Sequence, residues 1–338
     1  MDLDTFADPK FPLPMLITGT AGVAGYNAFH YFRSLYGDQV IGQRPVKNWP
    51  LNAAGIEPCD LEDTQGMQRL VDKYRFRSVL SCGGCCALKS CELDPGMAQR
   101  VNVFGVQNLL DAVDSYANRL IHLSVDLVYS GDGDGNHVET DPTDPVTVYG
   151  KTMVQSEQLV LQRRPDAPIL RISLPMGISF NGHAGAIDWI QSRFAKQKPA
   201  TLYFDEIRTP TYVECLNEVI SRMMTSDHSG IFHCGSPRKM SLYEIAQVVN
   251  RVGGYSPELL QGCLRIQARP MPPRAGNVTM DSSKLLNAFP DLTIDPWPLY
   301  EKWVPTDRKW HYERPATQVF QPKNVHEVLY AKPADHSL

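Results

Sequence analysis

The chain has 338 residues and a formal net charge of -4 at pH 7; 43% of its residues are hydrophobic and 21% are charged. This composition is typical of a folded globular chain with a sizeable core and argues against disorder. Mild acidity disfavours nucleic acid as the main partner, and no apolar run reaches the roughly 20 residues of a membrane-spanning helix.

Short apolar runs alternate with amphipathic stretches in the first half of the chain. Strands are predicted at 15–18, 39–42, 78–81, 120–124 and 169–173, with helices at 25–36, 63–75, 95–117 and 148–162. This alternation predicts an α/β chain with a Rossmann-type, doubly wound parallel sheet. Glycines, prolines and polar residues at 130–147 indicate a surface loop.

Beyond residue 180 the pattern is less regular, which favours a smaller C-terminal substrate lobe. We expect a dinucleotide-binding domain at about 1–175, the substrate lobe at about 176–305, and a tail at 306–338 that wraps the body. The acidic, proline-interrupted start resembles no signal peptide, so a cytoplasmic protein is expected.

A glycine-rich turn follows the first predicted strand and opens the first predicted helix. It consists of Gly19, Thr20, Ala21, Gly22, Val23, Ala24 and Gly25, after Thr18. Glycines let the backbone approach a pyrophosphate, and a helix N-terminus offers free N–H groups to that anion. In this context the turn predicts dinucleotide binding; the alternative is a helix start whose glycines serve packing.

The end of the second strand bears on the choice of coenzyme. A carboxylate there would bind the ribose hydroxyls of NAD, whereas this chain has Arg44 and Lys47. Both cations could face a 2′-phosphate, which favours NADP with NAD possible. The alternative is two solvated surface cations.

Several motifs keep a common order along the chain. They are Asp60–Leu61, Arg100–Gly105, Asn108–Leu110, Leu123–Tyr129, Val148–Thr152, Asp205–Tyr212 and Asp281–Leu285, besides the glycine-rich turn. Together they resemble the extended short-chain dehydrogenase/reductases, and most closely the dTDP-4-dehydrorhamnose reductase group. The resemblance implies a coenzyme-dependent enzyme that acts on a small molecule, a nucleotide sugar or another polar carbonyl or hydroxyl substrate, and that forms a homodimer.

The resemblance also assigns site residues. Coenzyme contacts are implied for Arg44, Asp60, Leu61, Cys82, Gly83, Ser124, Tyr149, Pro175 and Gly177, in addition to the glycine-rich turn. Substrate contacts are implied for Val125, Asn181, Arg208 and Arg274. The two arginines correspond to cations that relatives place on a diphosphate; surface salt bridges are the alternative.

The catalytic motif departs from the family pattern. Tyr149 matches the tyrosine that protonates the carbonyl oxygen, yet Met153 stands where the family has a lysine that lowers the tyrosine's pKa. Lys151 lies about 200° round the helix from Tyr149, so it points away from Tyr149 and cannot take the place of the missing lysine. Val125 occupies the Ser/Thr position, and Ser124, one residue earlier, points to the opposite face of the strand. We therefore predict altered chemistry.

The cysteines are the other candidates for chemistry. Cys85 and Cys86 fall in a stretch that borders the substrate in relatives, so either thiol could act as an acid, a base or a nucleophile. Small apolar filling is the favoured alternative. The spacing of the cysteines between 82 and 91 is not that of a zinc site, and no metal is expected.

Three functions remain open at this point. The first is an NAD(P)-dependent oxidoreductase with altered chemistry. The second is a non-catalytic, coenzyme-binding regulatory subunit. The methionine adenosyltransferase beta subunit is an example, because it resembles the same reductases and regulates a partner. The third is a lyase or elimination enzyme on the same fold.

Overall fold

A computed structural model describes residues 8, 10–185, 187–267, 272–314 and 322–330. The strands are β1 Met15–Ile17, β2 Val40–Arg44, β3 Ile56–Pro58, β4 Ser78–Ser81, β5 Arg119–Val125, β6 Pro168–Ile172, β7 Pro175–Met176, β8 Ala200–Tyr203, β9 Ile207–Arg208, β10 Thr211–Tyr212, β11 Gly230–Cys234, β12 Met240–Ser241 and β13 Leu260–Cys263. The helices are α1 Val23–Tyr36, α2 Thr64–Tyr74, α3 Leu88–Leu93, α4 Pro95–Gln99, α5 Gly105–Val113, α6 Val148–Arg163, α7 Asp188–Ala195, α8 Val213–Met224, α9 Leu242–Val252, α10 Ser283–Ala288 and α11 Pro322–Leu329.

Seven parallel strands form the main sheet, in the order β11-β6-β5-β4-β1-β2-β3. The predicted doubly wound fold is confirmed. The strand order reverses at β1, and ligands of such sheets bind at the carboxyl ends of the strands beside that reversal. The glycine-rich turn lies there.

The edge strand β11 comes from a part of the chain that was expected to form the smaller lobe. It pairs in parallel with β6 over its whole length, from Gly230 beside Pro168 to Cys234 beside Ile172. Outside the main sheet, short two-stranded pairs join β7 to β10, β9 to β12, and β8 to β13.

Apolar layers cover both faces of the sheet. In β1, Met15 and Ile17 belong to one core cluster, together with Phe29 and Phe32 of α1. Leu16 belongs to the other cluster, which contains side chains of α2, α5 and α6. Successive strand residues point to opposite faces, so an uninterrupted apolar strand indicates burial on both.

The long helix predicted over 95–117 is divided in the structure. The carboxylate of Asp94 caps α4 by accepting a hydrogen bond from the Met97 amide at 2.8 Å. A π-helical turn then spans residues 100–104 and leads into α5. This turn carries the buried Asn102. Within the described ranges, no helix combines the length and apolar character needed to cross a membrane.

The described parts of the tail pack on the body. The guanidinium of Arg251 in α9 lies 4.0 Å from the ring centroid of the buried Trp310. Further along, Leu329 is fully buried, and its carbonyl accepts a hydrogen bond from the indole of Trp297 at 3.0 Å.

Candidate coenzyme site and the surroundings of Tyr149

The glycine-rich turn needs glycine at two positions for reasons of backbone geometry. Gly19 has a φ of +68°, and a Cβ there would lie 2.5 Å from the Cα of Gly83. A Cβ on Gly25 would collide with the carbonyl oxygen of Gly19. Gly22 differs, because a Cβ there would meet only that oxygen, at 3.5 Å. The turn is therefore folded tightly on its inner side and leaves room on its outer side.

Helix α1 presents an uncapped N-terminus at this turn. Gly22 precedes it in extended conformation and supplies no side-chain cap, and the first turn of the helix has no acidic residue. The first N–H groups of a helix have no partner within it, and they carry the positive end of the helix dipole. This arrangement suits an anionic group, in agreement with a pyrophosphate.

The remaining side chains of the turn face inward or are partly covered. The hydroxyl of Thr20 donates to the carbonyl of Gln43 at 2.9 Å and is fully buried. Val23 is buried, whereas Ala21 and Ala24 are half-buried. Any ligand contact from this turn would therefore come chiefly from its backbone.

Cys82 and Gly83, which follow the neighbouring strand β4, contact the glycine-rich turn and the residue before it. The hydroxyl oxygen of Thr18 accepts hydrogen bonds from the amides of Cys82 and Gly83, at 3.1 and 3.0 Å. The Cys82 thiol donates to the Thr18 carbonyl at 2.8 Å. A Cβ on Gly83 would lie 2.7 Å from Cδ1 of Leu61. The structure thus brings Gly19, Leu61, Cys82 and Gly83 together.

Gln43 is a residue of this site that the sequence analysis did not select. Its side-chain oxygen accepts a hydrogen bond from the Gly19 amide at 2.9 Å, and its amide nitrogen donates to the Cys59 carbonyl. This fully buried side chain fixes the end of β2 against the glycine-rich turn. Its position before Arg44 in a buried strand was the available signal.

Arg44 and Lys47 occupy different environments. Arg44 is largely buried, and its Nη1 donates to the carbonyls of Pro45 and Val46, both at 3.1 Å. Asp60 accepts a hydrogen bond from the Val46 amide at 3.0 Å and so holds the same loop. Lys47 is exposed in that loop.

Tyr149 lies in the first turn of α6. The hydroxyl of Thr147 caps this helix by accepting from the Gly150 amide at 2.9 Å. The Tyr149 side chain is buried, and burial raises its pKa well above the ordinary value near 10, with further contributions from Cys86 and Asp126. None of the residues that the structure describes forms a hydrogen bond with its hydroxyl.

Apolar side chains surround Tyr149. Met153, Val125 and Cys91 pack in the same hydrophobic cluster, as the register of α6 and β5 predicts. The hydroxyl of Ser124 is fully buried, and the described part of the chain offers it no hydrogen-bond partner. The neighbouring ionisable groups that act most strongly on Tyr149 are the thiols of Cys85, Cys86 and Cys91 and the carboxylate of Asp126, and each of them raises the pKa of its phenol.

The cysteines lie directly beside Tyr149. Cys86 is exposed, Cys85 is half-buried and Cys91 is buried. Although Cys86 as a whole residue is exposed, loss of hydration around its thiol group raises the pKa of that thiol. For Cys85 the hydrogen bond from Cys91 lowers the pKa to about 6, and the charge of Lys47 acts in the same direction.

Asn102, which the sequence analysis quoted within a motif but did not assign, fixes the cysteine segment to α6. Its side-chain oxygen accepts from the Cys85 amide at 2.7 Å. Its Nδ2 donates to the carbonyl of Cys85 at 3.2 Å and to the hydroxyl of Thr152 at 2.9 Å. A buried amide that satisfies three groups rigidifies its surroundings.

Arg208 occupies a buried ion cluster. Its Nη1 lies 2.9 Å from Asp126 Oδ1, and its Nη2 lies 2.6 Å from Glu206 Oε1. The other oxygen of Asp126 accepts from the Ser173 hydroxyl at 2.6 Å. The guanidinium is therefore held between carboxylates inside the protein, not presented at an open surface.

Of the other predicted substrate residues, Arg274 and Asn181 are more accessible. Arg274 is half-exposed, lies over the ring of Tyr203 at 4.8 Å and is 3.8 Å from Oε2 of Glu206. Asn181 is exposed in a loop, and its Oδ1 accepts from the His183 amide at 2.9 Å.

The segment after β6 contacts α1. Pro175 is half-buried, and Gly177 is packed so that a Cβ would lie 2.5 Å from Val213. Asn27 of α1 donates to the carbonyl of Ile178 at 2.8 Å. Pro175 and Gly177 thus lie beside the helix that the glycine-rich turn opens.

Comparison with known proteins gives matches over most of the chain. A family model described as "RmlD substrate binding domain" matches residues 14–298. The dTDP-4-dehydrorhamnose reductase of Salmonella typhimurium strain LT2 is 26% identical over 276 residues, which is 78% of this chain and 91% of that protein. Methionine adenosyltransferase 2 subunit beta of Xenopus laevis is 25% identical over 245 residues, or 68% and 69% of the two chains. A crystal structure of dTDP-4-dehydrorhamnose reductase from Bacillus anthracis strain Ames, in complex with NADP, has a TM-score of 0.66 at 20% identity and covers 84% of this chain and 95% of that one.

Proposed function

This chain belongs to the RmlD substrate binding domain family, and we propose that it binds NADP and acts as an oxidoreductase on a nucleotide sugar or a similarly polar carbonyl or hydroxyl substrate. The resemblance inferred from the motifs is confirmed by the family match. The predicted oxidoreductase and the predicted coenzyme agree with the names of relatives and with the NADP complex of the Bacillus anthracis protein. The geometry of the glycine-rich turn is the observation that carries the proposal.

The residues at the end of β1 fit a dinucleotide. Gly19 and Gly25 allow the tight turn, Gly22 leaves its outer side open, and the amides at the start of α1 are available to a pyrophosphate. Arg44 is the last residue of β2 and Lys47 lies in the loop that follows, where a 2′-phosphate would lie. One Arg44 nitrogen donates to that loop, and Lys47 is exposed. NAD remains the alternative coenzyme.

Tyr149 would supply the proton in this reaction. When bound, the reduced nicotinamide supplies a hydride to the substrate carbon. The phenol of Tyr149 donates its proton to the substrate oxygen, and burial keeps it protonated at neutral pH. Because Met153 and Val125 replace the lysine and the hydroxyl group of the family pattern, neither stabilises the phenolate that remains. The standard reduction should therefore be slow, by up to several powers of ten.

Restoring the family residues tests this proposal. We expect purified protein to bind NADPH and to oxidise it slowly with dTDP-4-keto sugars, as followed by the absorbance of reduced nicotinamide. Met153→Lys combined with Val125→Thr should raise the rate about tenfold or more. Lys151→Met, which removes an exposed lysine of the same helix, is the matched control and should change nothing. Fast turnover by the native protein would show that the replaced residues do not alter its chemistry.

A regulatory subunit is the second candidate. The apolar packing of Val125 and Met153 around Tyr149 supports it, as does the match to methionine adenosyltransferase 2 subunit beta. Tight NADPH binding without turnover of any nucleotide sugar, in both the native protein and the restored variant, would favour this function over the enzyme.

We also propose that the protein is a homodimer located in the cytoplasm. No disulfide joins any two of the eight cysteines, all of which lie among the described residues, and this is usual for proteins of a reducing compartment. Sedimentation equilibrium at micromolar concentration tests the dimer, and a single species of monomer mass would exclude it.

A further inference from the structure

Cys85 and Cys91 lie next to one another in a segment that the proposed reaction does not use. Cys85 precedes α3, and Cys91 lies within that helix. The thiol of Cys91 donates to the Cys85 carbonyl at 3.4 Å, and the two sulfur atoms are 3.9 Å apart. The sulfur atoms in a disulfide are about 2 Å apart, so these two sulfur atoms need to approach by only about 2 Å to form the bond.

We propose that Cys85 and Cys91 are a reversible redox pair, which hydrogen peroxide or an organic hydroperoxide converts into a disulfide beside Tyr149. The two thiols differ in the way that such a pair requires. Cys85 is half-buried, within reach of a small oxidant, whereas Cys91 is buried directly behind it. No other pair of thiols among the described residues has its sulfur atoms in hydrogen-bonding contact.

The surroundings make Cys85 the first thiol to react. The hydrogen bond from Cys91 favours the thiolate form of Cys85, and the positive charge of Lys47 adds to this effect. Its immediate neighbour Cys86 is more exposed as a residue. Loss of hydration around its thiol nevertheless raises the pKa of that thiol, which disfavours the thiolate. Oxidation requires both thiolate character and access, and Cys85 combines the two.

The chemistry proceeds in two balanced steps. The Cys85 thiolate attacks one oxygen of the peroxide, which breaks the O–O bond, forms a sulfenic acid and releases hydroxide (an alkoxide from an organic hydroperoxide). The Cys91 sulfur then attacks the Cys85 sulfur, which forms the S–S bond; the hydroxyl of the sulfenic acid leaves with the Cys91 proton as water. Two electrons pass from the two sulfurs to the peroxide, and a dithiol reductant returns them by thiol–disulfide exchange.

The position of Lys89 provides a direct test. Trypsin cleaves after Lys89, between the two cysteines, and so separates residues 78–89 from residues 90–100. After mild peroxide treatment of the whole protein and alkylation of free thiols, we expect these two peptides to be linked, with Cys85 as the bonded residue by fragmentation. Dithiothreitol should release them. Cys85 should be oxidised about tenfold faster than Cys86.

Three variants assign the roles. Cys86→Ser, the matched control, should retain the link. Cys91→Ser should lose it and accumulate a sulfenic acid on Cys85 that dimedone traps, whereas Cys85→Ser should give neither product. A link through Cys82 or Cys86, or the absence of any link in the native protein while Cys86 is oxidised, would overturn the proposal. The result on the native protein does not depend on the folding of any variant or on the coenzyme.

Discussion

The glycine-rich turn and the surroundings of Tyr149 lie at the carboxyl ends of strands of one sheet, yet they are built in different ways. The turn consists of backbone contacts and buried hydrogen bonds, such as those of Thr18 and Gln43. Around Tyr149 the contacts are mostly apolar, from Met153, Val125 and Cys91. The turn has the features that suit a dinucleotide, whereas under the proposed function the apolar Met153 and Val125 give no assistance to proton transfer at Tyr149.

Under the proposed function, coenzyme binding and proton transfer therefore depend on separate residues. A Cβ at Gly19 is blocked by backbone atoms, which cannot move aside. Met153 and Val125 instead fill space with side chains, which a single substitution can change without altering the backbone. The chemistry of the site can therefore vary while the dinucleotide turn is kept.

The largest expected effect is at the turn. Gly19→Ala places a side chain at positive φ and against the backbone of Gly83. We expect NADPH affinity, measured by fluorescence titration, to fall about a hundredfold or more, and the free energy of unfolding to fall by about 2 kcal/mol or more. Gly22→Ala is the control: its stability should be unchanged. Native affinity in Gly19→Ala would show that the turn does not hold the coenzyme.

The second prediction concerns the buried ion cluster of Arg208, Asp126 and Glu206. Arg208→Met removes the guanidinium that pairs with Asp126 and leaves Glu206 with only the more distant Arg274, so it should lower the free energy of urea unfolding by about 3–5 kcal/mol. Arg274→Met, at a half-exposed arginine 3.8 Å from Glu206, should cost less than about 1 kcal/mol. If Arg208→Met keeps its stability but raises KM, the guanidinium contacts substrate instead.

The third prediction concerns His122, a buried histidine of β5. His122 contacts Ser81 of β4 at 3.1 Å and Ser156 of α6 at 3.2 Å, and burial lowers its pKa to about 4. Between pH 6.5 and pH 4, His122 is protonated in the unfolded chain and neutral in the folded one. The stability that this histidine contributes is complete above pH 6.5, and up to about 3 kcal/mol is lost as the pH falls to about 4.

Urea unfolding at several pH values measures that loss. Burial lowers the pKa of His233 to about 4 as well, so the two histidines act in the same direction. Burial also lowers the pKa of His30 and His311, so His122→Asn should remove part of the pH dependence, whereas His183→Asn, in an exposed loop, should leave it unchanged. An unchanged pH dependence in His122→Asn would mean that the pKa of this histidine is the same in the folded and the unfolded protein.

The smallest expected effect is the pH dependence of turnover. Because the pKa of Tyr149 is raised well above 10, its phenol stays protonated, and the rate of NADPH oxidation should be flat from pH 6 to pH 9. Met153→Lys places a cation near the phenol and lowers its pKa, so the rate should fall about tenfold between pH 7 and pH 9. The same profile in both proteins would show that residue 153 does not act on Tyr149.

Local features of the fold were predictable from the sequence. The strand at 78–81 and the helix starting at Val148 lie where the periodicity placed them, because their apolar spacing and the Thr147 cap are encoded within a few residues. The prediction of one long helix over 95–117 was wrong in detail, because apolar periodicity does not reveal the π-helical turn at 100–104.

Long-range contacts were not predictable. Arg208 is held by Asp126, which is 82 residues away in sequence, so no local pattern indicates that its guanidinium is buried. Gln43 likewise meets Gly19 only because β2 lies beside β1 in the sheet. The pairing of β11 with β6 depends on strands separated by more than fifty residues. Such contacts follow from topology, not from local pattern.

The late position of β11 has a consequence for synthesis. While the chain is emerging from the ribosome, β6 has no neighbour on its outer side until residues 230–234 have been made, although all its residues are buried in the finished protein. An open apolar edge is prone to pair with other chains. A fragment that stops near residue 175 should therefore aggregate when expressed alone, and nascent chains should need protection by chaperones until the last strand arrives.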